Sequence, residues 1–474
     1  MLTLSHALGI AAVLGAGVAL ADAPAVRYTT VLAADGRTLD VTACVAAPAP
    51  GRRWTAESRR APAFLLEASR TSGAAVERDG ADLLARAWQA DECLRYRVDL
   101  AALTAAGRHR RQVGGLLAPP EDWLWRPDGV GRDARGALTM ELPSGWSAIT
   151  PWPSSDALPP RRRFELDLRT ATWSSLVAFG RFPERDVVTD GGRARLALLG
   201  GMSDRQRDVL TDYVEQVSRD VTATFPRMFA TGPQIVVVPS RRRNRDAVPW
   251  GETMRGGAVA LYLVADLDRT HEEYFESWTV HHEMVHLVHP YLDDEGRWIA
   301  EGLATYYQNV LRARGGRIDA RTAWENLEAG FERGRRDHVT TDLRTTSARL
   351  GRAPHYMRVY WAGTALALRA DVALRTRARD PASLDAALNG FLACCLAKQP
   401  VLAPRAYLAA LDRAVGGGPL VTLYDAHVAQ PDMPDLRETR AALGITVDGG
   451  TLRFDADPRH VALRTAIMGS DVVR

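Results

Sequence analysis

The spacing of apolar side chains divides the chain into a first part rich in strands and a second part rich in helices. Between residues 25 and 185, apolar and charged residues alternate in short runs, most clearly at residues 94–100, and proline-rich stretches separate these runs. Alternation with a period of two is typical of strands with one buried face. The pattern predicts a β-sandwich or a related all-β domain in this region.

The pattern changes after residue 200. Ser203 and Gln206 form a capping box, and the apolar positions that follow predict a long helix with one buried face. Two nearly continuous apolar runs, at residues 234–238 and 258–264, predict core strands. Beyond Tyr360 the periodicity is helical to about residue 411, and a strand is predicted at residues 451–454.

The segment His282-Glu283-Met284-Val285-His286 carries the chemistry. Two histidines four residues apart lie on one face of a helix, about 6 Å from each other, so both imidazoles can reach one ion. Glu283 would lie beside the ion, where it can accept a proton from water. Glu301, on the next predicted helix, would complete three ligands and leave a fourth position open. We therefore predict one zinc ion per chain, with His282, His286 and Glu301 as its ligands and Glu283 as the general base.

Other third ligands are less suitable. A motif with a third histidine needs Gly three residues and His six residues after the second ligand, but His289 and Leu292 occupy those positions. His289 follows His286 so closely that it would crowd the ion. Asp293 and Asp294 come too soon after the helix, which Pro290 ends. Glu301 is therefore the preferred ligand.

Several neighbours of the motif receive supporting roles. Thr305, one turn past Glu301, is expected to hydrogen-bond a ligand histidine and fix its tautomer. Tyr306 and Tyr307 are expected to pack rather than to react. His281 and His355 are expected to be structural histidines whose hydrogen bonds are satisfied.

The run Glu301-Gly302-Leu303-Ala304-Thr305-Tyr306-Tyr307 resembles the Glu-Gly-(Phe/Leu)-(Ala/Thr)-x-Tyr stretch of gluzincin aminopeptidases, above all the glycyl aminopeptidase family. Tyr360-Trp361-Ala362-Gly363 is similar to the Tyr-x-x-Gly element that carries their catalytic tyrosine. The resemblance covers roughly residues 195–470. It implies a thermolysin-like zincin domain, a peptide or protein substrate, and Tyr360 as the donor to the oxyanion.

One departure concerns the substrate's amino terminus. In that family a Gly-Ala-Met-Glu-Asn-like strand precedes the zinc helix, and its glutamate holds the free amine. The best counterpart here is residues 257–261, with Ala260 in place of the acid. Glu252, Glu272 or Glu273 are other acids that could serve. An aminopeptidase is the first expectation; the alternatives are a zinc endopeptidase without a free-amine requirement and a non-catalytic peptide-binding protein.

With 474 residues, the chain is long enough for two or three domains with separate cores. The predicted class is α+β multidomain, with an N-terminal β-sandwich-like domain, a thermolysin-like zincin catalytic domain and a mainly helical C-terminal region. The predicted divisions are a signal peptide (1–21), a β-rich domain (22–190), the zincin domain (191–330), a helical catalytic-support domain (331–415) and a C-terminal extension (416–474).

The charge balance gives no support for a nucleic-acid partner, and the N-terminal segment and the cysteines indicate the cellular compartment. The net charge is only +3, from 60 basic and 57 acidic residues, which gives no reason to expect nucleic acid. An apolar run from Ala7 that ends Val18-Ala19-Leu20-Ala21 predicts a signal peptide, hence export to the periplasm or the medium and no stable membrane insertion after cleavage. Export permits disulfides. Cys44 and Cys93 are the expected pair, whereas Cys394 and Cys395 are free, bridged to each other, or simply buried.

Overall fold

The computed structural model of the chain describes residues 24–45, 49–89, 92–107, 115–130, 134–155, 161–168, 175–240, 243–255, 259–397 and 401–470. The predicted signal peptide lies outside them. The strands are β1 Val26–Leu32, β2 Thr38–Cys44, β3 Ala49–Thr55, β4 Leu65–Arg70, β5 Glu77–Asp79, β6 Asp82–Trp88, β7 Cys93–Asp99, β8 Leu116–Ala118, β9 Arg126–Pro127, β10 Arg135–Glu141, β11 Ser147–Ile149, β12 Ser154–Ser155, β13 Arg161–Asp167, β14 Val177–Gly180, β15 Glu184–Thr189, β16 Gly192–Leu198, β17 Gln234–Pro239, β18 Trp250–Met254, β19 Ala260–Ala265, β20 Tyr291–Leu292, β21 Val401–Leu402, β22 Ile445–Asp448 and β23 Thr451–Phe454.

All but one of the described α-helices lie after residue 200. They are α1 Leu100–Ala106, α2 Asp204–Thr222, α3 His271–Glu276, α4 Thr279–Val285, α5 Arg297–Arg314, α6 Ala320–Arg336, α7 Leu343–Ala348, α8 Tyr356–Arg375, α9 Leu384–Cys394, α10 Pro404–Ala414, α11 Leu420–His427, α12 Arg437–Leu443 and α13 Pro458–Met468. The mixed α+β class with a helical C-terminal region is thus confirmed. Within the described residues, no helix is both long enough and apolar enough to span a membrane.

The N-terminal region is built from two main sheets that share one core. A seven-stranded sheet has the order β12-β13-β10-β1-β2-β7-β4, and a four-stranded sheet has the order β5-β6-β3-β9. In β7, the predicted alternation is present, with Leu94, Tyr96 and Val98 buried. Five tryptophans are fully buried in this region: Trp54, Trp88, Trp123, Trp125 and Trp152. Burying such large side chains supplies much of the stability of a β-rich core.

Both cysteine pairs are bridged. Cys44 and Cys93 are direct partners on the adjacent antiparallel strands β2 and β7, and a disulfide joins them as predicted. Cys394 and Cys395 form a disulfide with each other at the end of α9, which selects one of the three states that their sequence allows. The first bridge ties neighbouring strands of the seven-stranded sheet, so it constrains the N-terminal region and not the helical one.

A five-stranded sheet, in the order β15-β16-β17-β19-β18, supports the site. Strands β16, β17 and β19 are parallel, while β18 pairs antiparallel with β19 and forms one edge. The predicted division between residues 190 and 191 falls in the hairpin that joins β15 to β16. Helix α2 begins with the predicted capping box of Ser203 and Gln206 and buries its apolar face against this sheet. All the predicted divisions of the chain stay predictions.

Candidate metal centre

The two histidines of the motif lie on a short, buried helix and on the single turn that follows it. Helix α4 ends at Val285, and His286 begins a single 3-10 turn that runs to Val288. His289 then takes an extended conformation, as the residue before a proline is expected to do. The helix is therefore shorter than Pro290 alone predicts, but the imidazoles of His282 and His286 remain on one side, with ring centroids 5.0 Å apart.

Glu301 meets these imidazoles from helix α5. Its Oε2 atom lies 3.1 Å from Nε2 of His282 and 3.5 Å from Nε2 of His286. One ligand atom from each of the three residues lies within 4.8 Å of the others, and within the described ranges no other group of His, Cys, Asp and Glu side chains does so. The structure therefore brings together the three residues that the sequence selects as ligands.

The alternatives for the third ligand have other partners. Asp293 accepts a hydrogen bond from the main-chain nitrogen of Gly296, which closes the turn before α5. Asp294 pairs with Arg297. Both acids are therefore used in shaping the entry to the helix that carries Glu301.

The tautomer of His282 is set by Gln308 and not by Thr305. Nδ1 of His282 lies 2.9 Å from Oε1 of Gln308, so Nδ1 donates and Nε2 keeps its lone pair for a metal. The hydroxyl of Thr305 is buried and has no hydrogen-bond partner among the described residues, so the role predicted for it was wrong. Gln308 lies two turns after Glu301 on the same helix face, one turn beyond Thr305.

The tautomer of His286 is set by a relay through His289. Nδ1 of His289 donates to the carbonyl oxygen of Pro290 at 2.8 Å, so its Nε2 must accept. That atom lies 3.0 Å from Nδ1 of His286, which therefore carries a hydrogen and leaves Nε2 free for a metal. Burial, with Arg255 and His286, lowers the pKa of His289 well below its ordinary value, so the ring is neutral at neutral pH. His289 is thus a support of the centre and not a ligand.

The electrostatics of the three ligands favour a cation between them. Burial by itself would raise the pKa of Glu301, but His286 and His282 outweigh it and lower that pKa well below the ordinary value. Burial by itself would lower the pKa of His282, but Glu301 and Glu283 outweigh it and raise that pKa. A buried carboxylate needs a positive charge nearby. Two imidazole Nε2 atoms and one carboxylate oxygen, converging and with fixed tautomers, fit a zinc ion.

Glu283 is held at the centre by the edge strand β18. The hydroxyl of Thr253 lies 2.8 Å from Oε2 of Glu283 and 2.8 Å from its main-chain carbonyl oxygen. Gly251, on the same face of β18, allows the strand to approach the helix. A Cβ atom at Gly251 would lie 2.5 Å from Cγ of Glu283 and 2.9 Å from Cγ2 of Thr279, closer than such atoms pack. A close strand therefore fixes the carboxylate that the sequence assigns as the base.

Tyr360 reaches the centre from helix α8. Its ring stacks on that of His282, with centroids 5.9 Å apart and an interplanar angle of 8°. Burial, followed by the nearby Glu301, raises the pKa of Tyr360 well above its ordinary value, so the hydroxyl stays protonated and able to donate. The expected position of this side chain beside the ligands is what the structure shows.

Two glycines bring Tyr360 this close. A Cβ atom at Gly302 would lie 2.2 Å from the carbonyl carbon of Gly363, and one at Gly363 would lie 1.8 Å from the carbonyl oxygen of Trp298. Helices α5 and α8 therefore touch through their backbones, which only glycine allows. The Glu-Gly and Tyr-x-x-Gly patterns are thus a physical pair, since the crossing that they form places Tyr360 next to Glu301.

The strand beside the centre is β18, and the assignment of residues 257–261 to that position was wrong. Residues 257 and 258 lie outside the described residues. Ala260 opens the inner strand β19 and is buried with Met254 and Tyr262, on the sheet face away from the helices. Glu252 pairs with Tyr262 and so shares that far face. The side of β18 that faces the helices carries Gly251 and Thr253.

Glu272 and Glu273 lie on helix α3 and have other surroundings. Glu273 caps α3 through the main-chain nitrogen of Thr270 and pairs with Arg269, and Glu272 is exposed on the same helix. No carboxylate other than Glu283 and Glu301 is identified at the centre among the described residues. The structure therefore offers no replacement for the amine-binding glutamate among the acids selected from the sequence.

The other residues named from the sequence are structural. The hydroxyls of Tyr306 and Tyr307 donate to Asp371 and Asp385, at 2.8 Å each. Nε2 of His281 lies 3.3 Å from Oδ2 of Asp220. Nδ1 of His355 lies 2.8 Å from Oδ1 of Asp337. These contacts agree with the packing and support roles expected for the four side chains.

Solved structures with a similar fold include an aminopeptidase N family protein and M1 zinc metallopeptidases. The aminopeptidase N family protein from Idiomarina loihiensis matches with a TM-score of 0.64 at 15% sequence identity, over 89% of this chain and 79% of that one. The M1 zinc metallopeptidase from Deinococcus radiodurans matches with a TM-score of 0.52 at 14% identity, over 87% of this chain and 94% of that one. A mutant of the latter, bound to a Tyr-Ser-Ala substrate, matches with a TM-score of 0.51 at 15% identity, over 87% and 95%.

Comparisons of the sequence, unlike those of the structure, find no match. No protein-family model matches the chain, and no curated protein matches it. At such low identities a structural match shows the fold alone. The chain thus has the fold of the M1 zinc metallopeptidases, in agreement with the resemblance to gluzincin aminopeptidases seen in its motifs.

Proposed function

We propose that this chain, which has the fold of the M1 zinc metallopeptidases, is a zinc-dependent peptidase. The observation that carries the proposal is the convergence of His282, His286 and Glu301, with Glu283 and Tyr360 beside them. A fold by itself hosts many functions, so the site must carry the argument. This site contains a complete set of metal ligands, a base and a hydrogen-bond donor.

Each side chain has a defined task in peptide-bond hydrolysis. Zinc, when bound by His282, His286 and Glu301, supplies an acidified water and polarises the scissile carbonyl. Glu283, oriented by Thr253, accepts the proton of the attacking water and delivers it to the leaving nitrogen. Tyr360 donates a hydrogen bond to the oxyanion that forms on the carbonyl oxygen. One zinc ion per chain and a peptide or protein substrate complete the proposal.

Aminopeptidase action is the form of this activity that the resemblance and the aminopeptidase N family neighbour support. The arrangement of β18 favours a second candidate, a zinc endopeptidase that does not require a free amine. Ala260 and Glu252 both lie on the far face of the sheet, so neither can anchor an α-ammonium group at the centre. A non-catalytic peptide-binding protein is disfavoured, because such a protein has no use for a carboxylate held beside the metal ligands.

The compartment is part of the proposal. We infer export to the periplasm or the medium, with no stable membrane insertion after cleavage at about Ala21. The disulfide between Cys44 and Cys93 supports this, since structural disulfides persist in oxidising compartments.

The experiment combines metal analysis with hydrolysis of a mixed peptide library. Glu283→Gln is expected to keep its zinc and its melting temperature and to lower kcat by about 10²–10⁴-fold, because an amide cannot accept the proton. Glu272→Gln, an exposed change on α3, is the matched control and should behave as wild type. Comparing one peptide with a free and an acetylated amino terminus separates the two candidates. Near-normal turnover by Glu283→Gln would refute the mechanism, and equal cleavage of the two peptides would refute the aminopeptidase.

A further inference from the structure

Arg255 is a cation beside the candidate metal centre that has almost no partners of its own. It follows β18 on the helix-facing side, after Gly251 and Thr253, and its guanidinium donates to the carbonyl oxygen of His286. Within the part of the chain that the structure describes, this is its only hydrogen bond, and no carboxylate lies within 4.0 Å of its nitrogens. A guanidinium has five N–H donors, so four remain available.

The two carboxylates that influence the pKa of Arg255 are Glu301 and Glu283, which both belong to the candidate metal centre. Burial lowers the pKa of Arg255 to about 10, while Glu301 and then Glu283 act in the opposite direction. The residue is thus cationic at neutral pH. In the proposed function Glu301 binds the metal and Glu283 moves a proton, so neither carboxylate is free to pair with the guanidinium. The guanidinium therefore keeps donors that neither its one hydrogen bond nor these two carboxylates use, and an anion from outside the chain can take them.

The surroundings of Arg255 are polar and partly open. Tyr407 and Tyr291 lie near enough to influence the pKa of Arg255. Arg255 itself is only partly buried. The hydroxyl of Tyr407 is buried and has no hydrogen-bond partner among the described residues. Tyr291, by contrast, is 44% exposed, so the group of side chains reaches the surface. The guanidinium of Arg255, which donates to the carbonyl oxygen of His286, and the phenol of Tyr407, whose ring centroid lies 6.4 Å from that of His289, are thus both close to the candidate metal ligands.

We infer that Arg255, supported by Tyr407, forms a subsite for a carboxylate of the peptide substrate, next to the bond that is cleaved. The inference rests on the proposed function and names its substrate class. A planar guanidinium binds a carboxylate through two parallel hydrogen bonds, which gives both strength and orientation. The same charge repels an α-ammonium group. The carboxylate is either the C-terminal one of a short peptide or that of an Asp or Glu side chain.

Two pairs of peptides distinguish these sources. The first pair is an alanine tripeptide with a C-terminal carboxylate or a C-terminal amide. The second pair is a longer peptide, blocked at both ends, with Asp or Asn near its centre. Wild type should prefer the carboxylate member of one pair by about 10–100-fold in kcat/KM, the effect expected of a charge-assisted hydrogen bond. A preference in the first pair assigns the chain end, and one in the second pair assigns the acidic side chain.

Variants test the residue. Arg255→Met should abolish the preference while zinc content and melting temperature stay as in wild type. Arg255→Lys should keep part of it, because an ammonium retains the charge without the fork. Arg405→Met is the matched control: Arg405 is exposed on α10 and pairs with Asp425, so its loss changes net charge equally but should leave the preference intact.

Binding measured in the Glu283→Gln background separates this inference from the proposed function. If wild type hydrolyses no peptide, the proposed function fails, and calorimetric Kd values for the two pairs still decide whether Arg255 selects carboxylates. The inference is overturned if wild type and Glu283→Gln treat both members of each pair alike. It is equally overturned if Arg255→Met weakens all four peptides by the same factor, since Arg255 would then only brace the carbonyl of His286.

Discussion

The helix side of the centre, formed by α4, α5 and α8, differs from its strand side, formed by β18 and Arg255, in how fully its polar groups are hydrogen-bonded. On the helix side, each ligand histidine has its second nitrogen fixed, by Gln308 or by His289. On the strand side, within the described residues, Arg255 makes one hydrogen bond. A satisfied network gives a rigid set of ligands, whereas open donors are what a substrate needs. In the proposed function, the helix side would hold the metal and the strand side would receive the peptide.

The largest effect should come from breaking the ligand set on the helix side. Glu301→Ala is expected to remove most of the zinc and with it the hydrolysis, because two histidines alone leave the coordination incomplete. Metal analysis after dialysis measures this, with Glu325→Ala, an exposed change on α6, as the control. Full zinc occupancy in Glu301→Ala would mean that the third ligand is elsewhere, and Asp293, Asp294 and His289 would have to be tested in turn.

The next effect should separate catalysis from metal binding on the same side. Tyr360→Phe is expected to lower kcat by about 10²–10³-fold with little change in KM, since the hydroxyl is engaged only in the transition state. The ring remains to stack on His282, so zinc content should not change. Steady-state kinetics and a thermal melt distinguish the outcomes. A loss of stability without the kinetic signature would make Tyr360 a packing residue.

Breaking the hydrogen bond between His289 and His286 should have a smaller effect, which is confined to the affinity for the metal. His289→Ala removes the acceptor of the Nδ1 hydrogen of His286, and changes of this kind typically weaken metal affinity by 10–100-fold. Competition with a chelator of known affinity measures this. His355→Ala, which removes a histidine bonded to Asp337, is the control. Unchanged affinity in His289→Ala would show that the tautomer of His286 is set without the relay.

The sequence predicts the helix side far better than the strand side, and the physical reason is distance along the chain. His282, Glu283 and His286 are spaced by the helix period, so a local rule places them together. Glu301 follows because a buried acid between apolar residues needs a cation. The role of Gln308, two turns beyond Glu301, could not be predicted, because the helix period alone does not distinguish it from Thr305 as the partner of His282.

The strand side depends on pairing between segments, which no local pattern reveals. Strand β18 has a single buried side chain, Met254, so it carries no apolar run, whereas the run around Ala260 is conspicuous but belongs to the inner strand. The roles of Thr253 and Arg255 therefore could not be predicted from the sequence. Their importance follows from antiparallel pairing and from the close approach at Gly251, and both are properties of the folded sheet.

The smallest effect should come from the hydrogen bond by which Thr253, on the strand side, contacts Glu283 on the helix side. Thr253 is a positioning residue, because its hydroxyl touches Glu283 and holds the carboxylate toward the metal ligands. Thr253→Val keeps the shape of the side chain and removes the hydrogen bond, so kcat should fall by about 10-fold, the usual effect of one hydrogen bond to a charged group, while KM and zinc content stay constant. Thr253→Ser should restore turnover, since it returns the hydroxyl without the methyl group. Failure of the serine to rescue would indicate that packing of β18 on α4, and not the hydroxyl, orients the base.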